Sequence, residues 1–210
     1  MRIPTLLGAV AVVAGAYSPP ARRRYLTWGA TAEEADRAMP GDDLLPEPDL
    51  LSTRAITIAA APSTVWPWLV QMGSGRGGAY SYDWIENLFG LQMHSADEIL
   101  PQFQRLAVGD VLPVGPTGPG MRVEICDPEQ ALVFRSEDGN WVWIFCLYTY
   151  WLGTRLVSRN RIAVPDHSLT RRLVNRAVME PGSLVMERRM LMGLKERAEW
   201  TAPAADPLPR

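Results

Sequence analysis

Apolar and polar positions along this chain change period more than once, and the changes set out its elements. From residue 52 the run T-R-A-I-T-I-A-A alternates, placing Ile56 and Ile58 on one face of a strand. Pro62-Ser63-Thr64 then opens V-W-P-W-L-V-Q-M, which predicts a helix with Pro67 in its first turn or at a kink. Residues 82–89 predict a second helix, with Trp84, Ile85, Leu88 and Phe89 on its apolar face, and residues 95–100 a further helical turn. After Pro101 the period shortens to two. Residues 108–114, 121–126, 131–135, 141–150 and 154–164 predict successive strands, punctuated by Pro, Gly and Asp at the spacing of an antiparallel meander. Glu137-Asp138-Gly139-Asn140 predicts a hairpin turn. The helical period returns over 168–178 and again from Pro181 to about residue 200. Ahead of the first strand, Thr31 and Glu34 match a capping box, so a short helix is expected through Met39, ended by Pro40-Gly41. Residues 42–49 read as an extended connection. The order is strand, two helices, several strands and a long terminal helix. That is an α+β pattern, with helices segregated onto one face of a sheet.

Length and composition narrow the class. The 210 residues suffice for one domain with a real core, expected over residues 25–200. Residues 1–24 form an apolar N-terminal segment with its flanks, and the Pro- and Ala-rich tail 201–210 is expected to be disordered. The net charge is -2 with no sustained basic stripe, which argues against a nucleic-acid partner. The two cysteines, Cys126 and Cys146, form no CxxC pair and have no histidine cluster beside them, so no metal site is expected; two free thiols are the simplest reading. The glycine-rich stretch 73–78 lacks the Gly-Lys-Ser/Thr ending of a phosphate loop and follows a helix rather than a strand. No cofactor is implied, and the glycines would instead give the backbone room at a pocket mouth.

Three readings of the N-terminus stay open. Residues 3–17 are apolar or small, preceded by Arg2 and followed by Arg22, Arg23 and Arg24. The stretch falls short of the roughly 20 apolar residues a spanning helix needs. As a marginal membrane anchor it would hold a cytoplasmic domain at the plasma membrane. As a signal peptide it would be cut near Ala14-Gly15-Ala16, against the opposing Arg run. As an ordinary helix it would pack on the domain.

Local sequence adds a resemblance. S-T-R-A-I-T-I-A-A-A-P-S-T-V-W-P-W-L-V-Q-M-G (52–73) resembles the opening strand and first helix of bacterial SRPBCC proteins, also called START-like or polyketide-cyclase-like. R-G-G-A-Y-S-Y-D-W-I-E-N (76–87) and V-M-E-R-R-M-L-M-G-L-K-E-R-A-E (185–199) resemble the signature of one actinobacterial subgroup. The similarity spans residues 28–199. It implies a helix-grip fold, in which a curved antiparallel sheet wraps a long C-terminal helix around a deep apolar cavity. Members of that superfamily include lipid and steroid carriers, hormone receptors, and cyclases or aromatases, so the fold alone does not choose a function.

The candidate site residues come from the spacing of polar groups within apolar stripes. On the last helix Glu187 shares a face with Leu184, Met190, Leu191 and Leu194. A carboxylate there needs a partner or a wet cavity. It is either a polar anchor or acid/base inside the pocket, or half of an ion pair to an Arg, such as Arg122 or Arg161, that pins helix to sheet. Asp83 shares a face with Glu86 and with Asn87. With Tyr80 and Tyr82 they would form a polar entrance to the pocket, or else a solvated helix face. His94 lies three residues before Asp97, a spacing that allows an acid–base pair or a helix cap. Trp141 and Trp143 alternate with Phe145 on one strand face, while Val142, Ile144 and Cys146 take the other. If the Trp face is concave it lines the cavity; if convex it marks an interface.

The ligand-binding set is therefore Tyr80, Tyr82, Trp84, Asn87, Arg122, Trp141, Trp143 and Glu187, and the catalytic candidates are Glu187, Asp83 and His94. The leading reading is a binding module for a hydrophobic small molecule or lipid. The second is a cyclase- or dehydratase-like enzyme using pocket carboxylates. The third is a non-enzymatic, membrane-associated interaction protein, touching membrane through residues 3–17.

Overall fold

The computed structural model describes residues 18–115, 119–151, 153–164, 168 and 175–202. Six strands form one antiparallel sheet: β1 (Leu50–Ile58), β2 (Val111–Leu112), β3 (Met121–Asp127), β4 (Ala131–Ser136), β5 (Trp141–Tyr150) and β6 (Gly153–Ile162). Their spatial order is β1-β6-β5-β4-β3-β2. The chain lays down one edge strand, crosses to the opposite edge and meanders back until β6 pairs with β1. Local sequence explains the meander. Asp138 and Gly139 make the β4–β5 turn, where the Asp138 carboxylate accepts from the Ser136 hydroxyl at 2.5 Å and the Asn140 N–H at 3.1 Å. Gly139 there takes φ +77°, which only glycine adopts freely.

Helices α1 (Pro19–Leu26) and α2 (Ala32–Asp36) precede the sheet. The expected capping box is present: Thr31 accepts from the Glu34 N–H, and Glu34 accepts from the Thr31 N–H. The helix stops at Asp36 rather than reaching Met39, because Arg37 turns extended. The crossover carries α3 (Pro62–Val70) and α4 (Asp83–Leu88). The turn expected over 95–100 is instead irregular, and a single 3₁₀ turn follows at Pro101–Phe103. Most of the helix expected over 168–178 lies outside the described residues; Asn175–Met179 form a π-type turn that feeds α5 (Glu180–Thr201). The boundary drawn at residue 24 falls inside α1, whose Arg22 pairs with Glu180 of α5 at 2.7 Å.

Strand parity sorts the core into two layers. On the concave face, Ile58, Phe134, Phe145 and Leu156 pack against Val65, Trp68 and Leu69 of α3 and Met190, Leu191 and Leu194 of α5. The α5 helix comes very close to the loop ahead of α4. A β-carbon at Gly193 would sit 2.3 Å from the Tyr80 carbonyl oxygen. On the other face Ala55, Val133, Val142, Ile144, Cys146 and Val157 form a second buried cluster with Met39. The segment read as an extended connection covers this layer. Back-facing arginines of β6 hold it down. Arg155 pairs with Glu34 at 2.8 Å; Arg159 and Arg161 share Asp42 at 2.6 and 3.0 Å and bond carbonyls of residues 34–46. Cys126 and Cys146 are free thiols. Burial pushes the Cys146 thiol above its usual range.

Candidate functional site

Two adjoining cavities of about 230 and 200 Å³ lie against the concave face, the first under α5 and Glu86 of α4, the second under Glu86 and the loops on either side of α4. Trp141, Trp143, Ala79 and Glu86 line both. The first continues between β1, β6 and α5, past Arg54, Asn160, Met186 and Glu187. The second continues toward β2 and β3, past Met72, Leu112, Met121 and Phe134. The Trp face of β5 is thus concave. The two indoles stack with centroids 5.4 Å apart and an interplanar angle of 22°, and Phe145 abuts Trp143 at 4.8 Å.

A buried polar network fixes these rings. Trp141 Nε1 donates to Asn160 Oδ1 at 2.8 Å, and Trp143 Nε1 donates to Ser158 Oγ at 3.1 Å. Ser158 then donates to Glu187 at 2.6 Å, and the Asn160 amide donates to both Glu187 oxygens at 3.1 Å. Arg54, fully buried on β1, completes the set as the ion-pair partner of Glu187. The partner is therefore neither Arg122 nor Arg161. Parity decides the matter. In the β1–β6 register Arg54 lies opposite Ser158 and Ser52 opposite Asn160, all on the concave face, while Arg161 is on the back with Asp42. Arg122 leaves β3 on the exposed side, 4.0 Å from an exposed Glu137. Arg54 shares parity with Ile56 and Ile58, so the alternation of β1 already held the signal. Burial pushes the Glu187 carboxyl up, against Arg54, Ser158 and Asn160, which all pull it down. Its acceptor capacity is filled by these donors. Such a carboxylate positions the Trp ridge and has no free lone pair to offer a substrate.

The other expected residues are spread out. Tyr80 is buried with φ +55°, and its hydroxyl donates to the Trp68 carbonyl at 2.9 Å. Burial pushes its phenol well above the usual range. Tyr82 precedes α4 as its half-buried N-cap residue. Asp83 accepts from the Ser95 N–H and hydroxyl at 2.7 and 2.6 Å, tying α4 to the following loop. Asn87 clamps Met93 N–H and C=O at 2.7 and 2.9 Å. His94 is exposed, and Asp97 pairs with Arg197 at 2.8 Å rather than with it. Trp84 points outward, 67% exposed, so the helix face expected to be core is solvent-facing at Trp84, Leu88 and Phe89. Tyr80, Tyr82, Trp84, Asp83, Asn87, His94 and Arg122 line neither cavity. The glycine loop closes on itself through a Gly73–Gly78 bridge, with Gly73 on the wall of the second cavity.

The carboxylate the cavities share is Glu86. It is 8% exposed, and its Oε2 is buried with no hydrogen-bond partner. Burial pushes its carboxyl up, the nearby Asp83 charge adds to that, and the Ser81 hydroxyl pulls it back down. Sequence spacing placed Glu86 with Asp83 and Asn87 at a polar entrance or on a solvated face, not inside the pocket. The missing signal was orientation: with Trp84, Leu88 and Phe89 outward, Glu86 is the α4 side chain turned inward. Among the described residues no group of His, Cys, Asp and Glu is placed to hold a metal ion.

No protein-family model matches the chain, and no curated protein is detectably similar to it. Solved structures match it at low identity. Protein MLL2253 from Mesorhizobium loti is 15% identical, with 73% of this chain and 100% of that one covered and a TM-score of 0.46. KanY protein is 14% identical, with 71% and 97% covered and a TM-score of 0.47. The Polyketide_cyc-like protein Cgl2372 from Corynebacterium glutamicum is 18% identical, with 73% and 89% covered and a TM-score of 0.36. The topology of the chain itself, a curved six-stranded antiparallel sheet gripping a 22-residue C-terminal helix, is a helix-grip fold.

Proposed function

We propose that the chain binds a hydrophobic small molecule between its sheet and α5. The observation that carries this reading is the pair of adjoining cavities that share a wall of two stacked, hydrogen-bond-locked indoles. Locked aromatics offer a large apolar contact at little entropic cost. Each cavity is below the roughly 300–1,000 Å³ of ligand clefts, so the pair suits a compact molecule better than a whole diacyl lipid. Native mass spectrometry of the full chain, before and after organic extraction, tests it. An apolar species lost on extraction, or an adduct from an aromatic and terpenoid panel that Trp143→Ala weakens several-fold, supports the reading. A bare mass unmoved by the whole panel refutes it.

A second use, contact with a membrane surface, is favoured by the outward row Trp84, Leu88 and Phe89, which are 67, 75 and 77% exposed. Among the described residues no helix is long and apolar enough to cross a bilayer, so contact there would be superficial. Residues 3–17, the expected point of membrane contact, lie outside the described residues. Co-sedimentation with phosphatidylglycerol vesicles, lost in Trp84→Ser/Phe89→Ser, would support the reading, and unchanged sedimentation of that variant would exclude it.

A further inference from the structure

Glu86 says more about the ligand than the apolar walls do. A buried carboxyl oxygen with no partner in the chain is costly and calls for an explanation, one of which is a group from outside the chain that completes it. Glu86 Oε2 is in that position, and the Glu86 side chain belongs to the stretch of wall that both cavities share. Building on the ligand-binding reading above, we propose that the ligand carries a protonated nitrogen on a flat apolar body, and that Glu86 is the counter-ion of that ammonium group.

The charged groups around Glu86 are each satisfied by a partner other than Glu86. On its own helix, Asp83 stands one turn back, satisfied by the Ser95 N–H and hydroxyl rather than by a cation. From α5, Glu187 reaches the same cavity, neutralised by Arg54. Arg189 and Arg197 of α5 face a separate depression beside Asp83 and Trp84, and their charges are taken by Glu196 and Asp97. β5 contributes only the neutral indoles of Trp141 and Trp143. Among the described residues no ion pair joins Glu86 to a basic side chain. The site therefore holds acidic charge in excess of basic charge, on a wall made of indoles.

Indole rings add to the preference. Their faces carry negative electrostatic potential and attract ammonium groups, most strongly where water is excluded. A ligand whose apolar body lies on the Trp141–Trp143 ridge would bring its nitrogen toward Glu86 and exchange an unpaired acid for a charge-assisted hydrogen bond. A carboxylate ligand would meet repulsion from Glu86 and Asp83 at once. A neutral hydroxyl would satisfy the oxygen without balancing its charge.

Three indoles of matched size separate these cases: tryptamine, tryptophol and indole-3-acetate. Calorimetric titration of the full chain at pH 7.5 should find tryptamine at least about tenfold tighter than tryptophol, and indole-3-acetate the weakest. Glu86→Gln should bring tryptamine down to the level of tryptophol while leaving tryptophol within about threefold. If that variant does not fold, the ranking on the unmodified chain decides alone. Tryptophol or indole-3-acetate binding as tightly as tryptamine would overturn the ammonium assignment and leave the ligand-binding reading standing. So would a preference for tryptamine that survives Glu86→Gln. Failure of all three to bind at millimolar concentration would overturn the ammonium assignment, and the ligand-binding reading would then rest on the native mass spectrometry above.

Discussion

Replacing Arg54 with Met should destabilise the fold by an amount the buried network predicts. The Arg54 side chain has no exposed surface and Glu187 has 7%. Met preserves much of the arginine stem volume, so the packing loss is small. What remains is a carboxylate with Ser158 and Asn160 but no counter-charge, while Tyr25 C=O and Ser183 Oγ each lose a donor. Removing one partner of a buried pair costs about 3–5 kcal/mol. In a chain of this size that lowers the melting temperature by roughly 6–20 °C. Glu187 would then escape the penalty by taking up a proton. Its folded pKa, already raised by burial, would lie further above the unfolded value once Arg54 no longer opposes that burial. The loss should therefore be full above that raised value and shrink as pH falls toward the ordinary carboxylate range. Arg54→Met/Glu187→Met should recover most of the stability, because two apolar side chains need no partner. Urea midpoints of both variants at pH 5 and pH 8 provide the measurement. A single variant within about 0.5 kcal/mol of the parent at pH 8 would refute the reasoning. It would show that cavity water, and not Arg54, sustains the Glu187 charge.

Three further outcomes follow from other contacts. Glu86 is a carboxyl held above its unfolded pKa by burial and Asp83, so its contribution worsens as pH rises through the raised value; Glu86→Gln should gain stability over the parent above that value and little below the ordinary carboxylate range, as read from urea midpoints between pH 4 and 8. Asp42→Asn removes the charge shared by Arg159 and Arg161 but leaves their carbonyl partners, so a loss of about 2 kcal/mol is expected, with faster proteolysis of residues 31–46 as a local readout. Gly193→Ala should destabilise by about 1–3 kcal/mol despite alanine's better helix propensity, because the added carbon falls 2.3 Å from the Tyr80 carbonyl oxygen; a stabilised variant in thermal melts would contradict that close approach.

Period and punctuation alone determined most of the fold. The meander from β3 to β6, the helix after β1, the capping box at Thr31 and the long terminal helix all rest on local rules of spacing, turn residues and capping. These interactions join residues close in sequence, so the sequence displays them. Strand parity likewise placed Trp141 and Trp143 on one face and Val142, Ile144 and Cys146 on the other. Which face was concave depended on how the sheet curls around α5, and that involves residues far apart in the chain. The same holds for the buried ions. Glu187 stood out as a carboxylate in an apolar stripe, but its partner came from a strand 133 residues away. The sequence supplied many arginines; alternation put Arg54 on the face of Ile56 and Ile58, but only strand pairing showed that this face meets Glu187. The β1–β6 pairing chose Arg54 and sent Arg159 and Arg161 to the back, where they pin the N-terminal strap. The helix at 83–88 misled for a related reason. Its apolar residues looked like core, yet a six-residue helix held by Asp83 and Asn87 to the next loop can turn either side inward. Tertiary packing turned Glu86 in, toward the cavity beside Trp141 and Trp143, and Trp84 out.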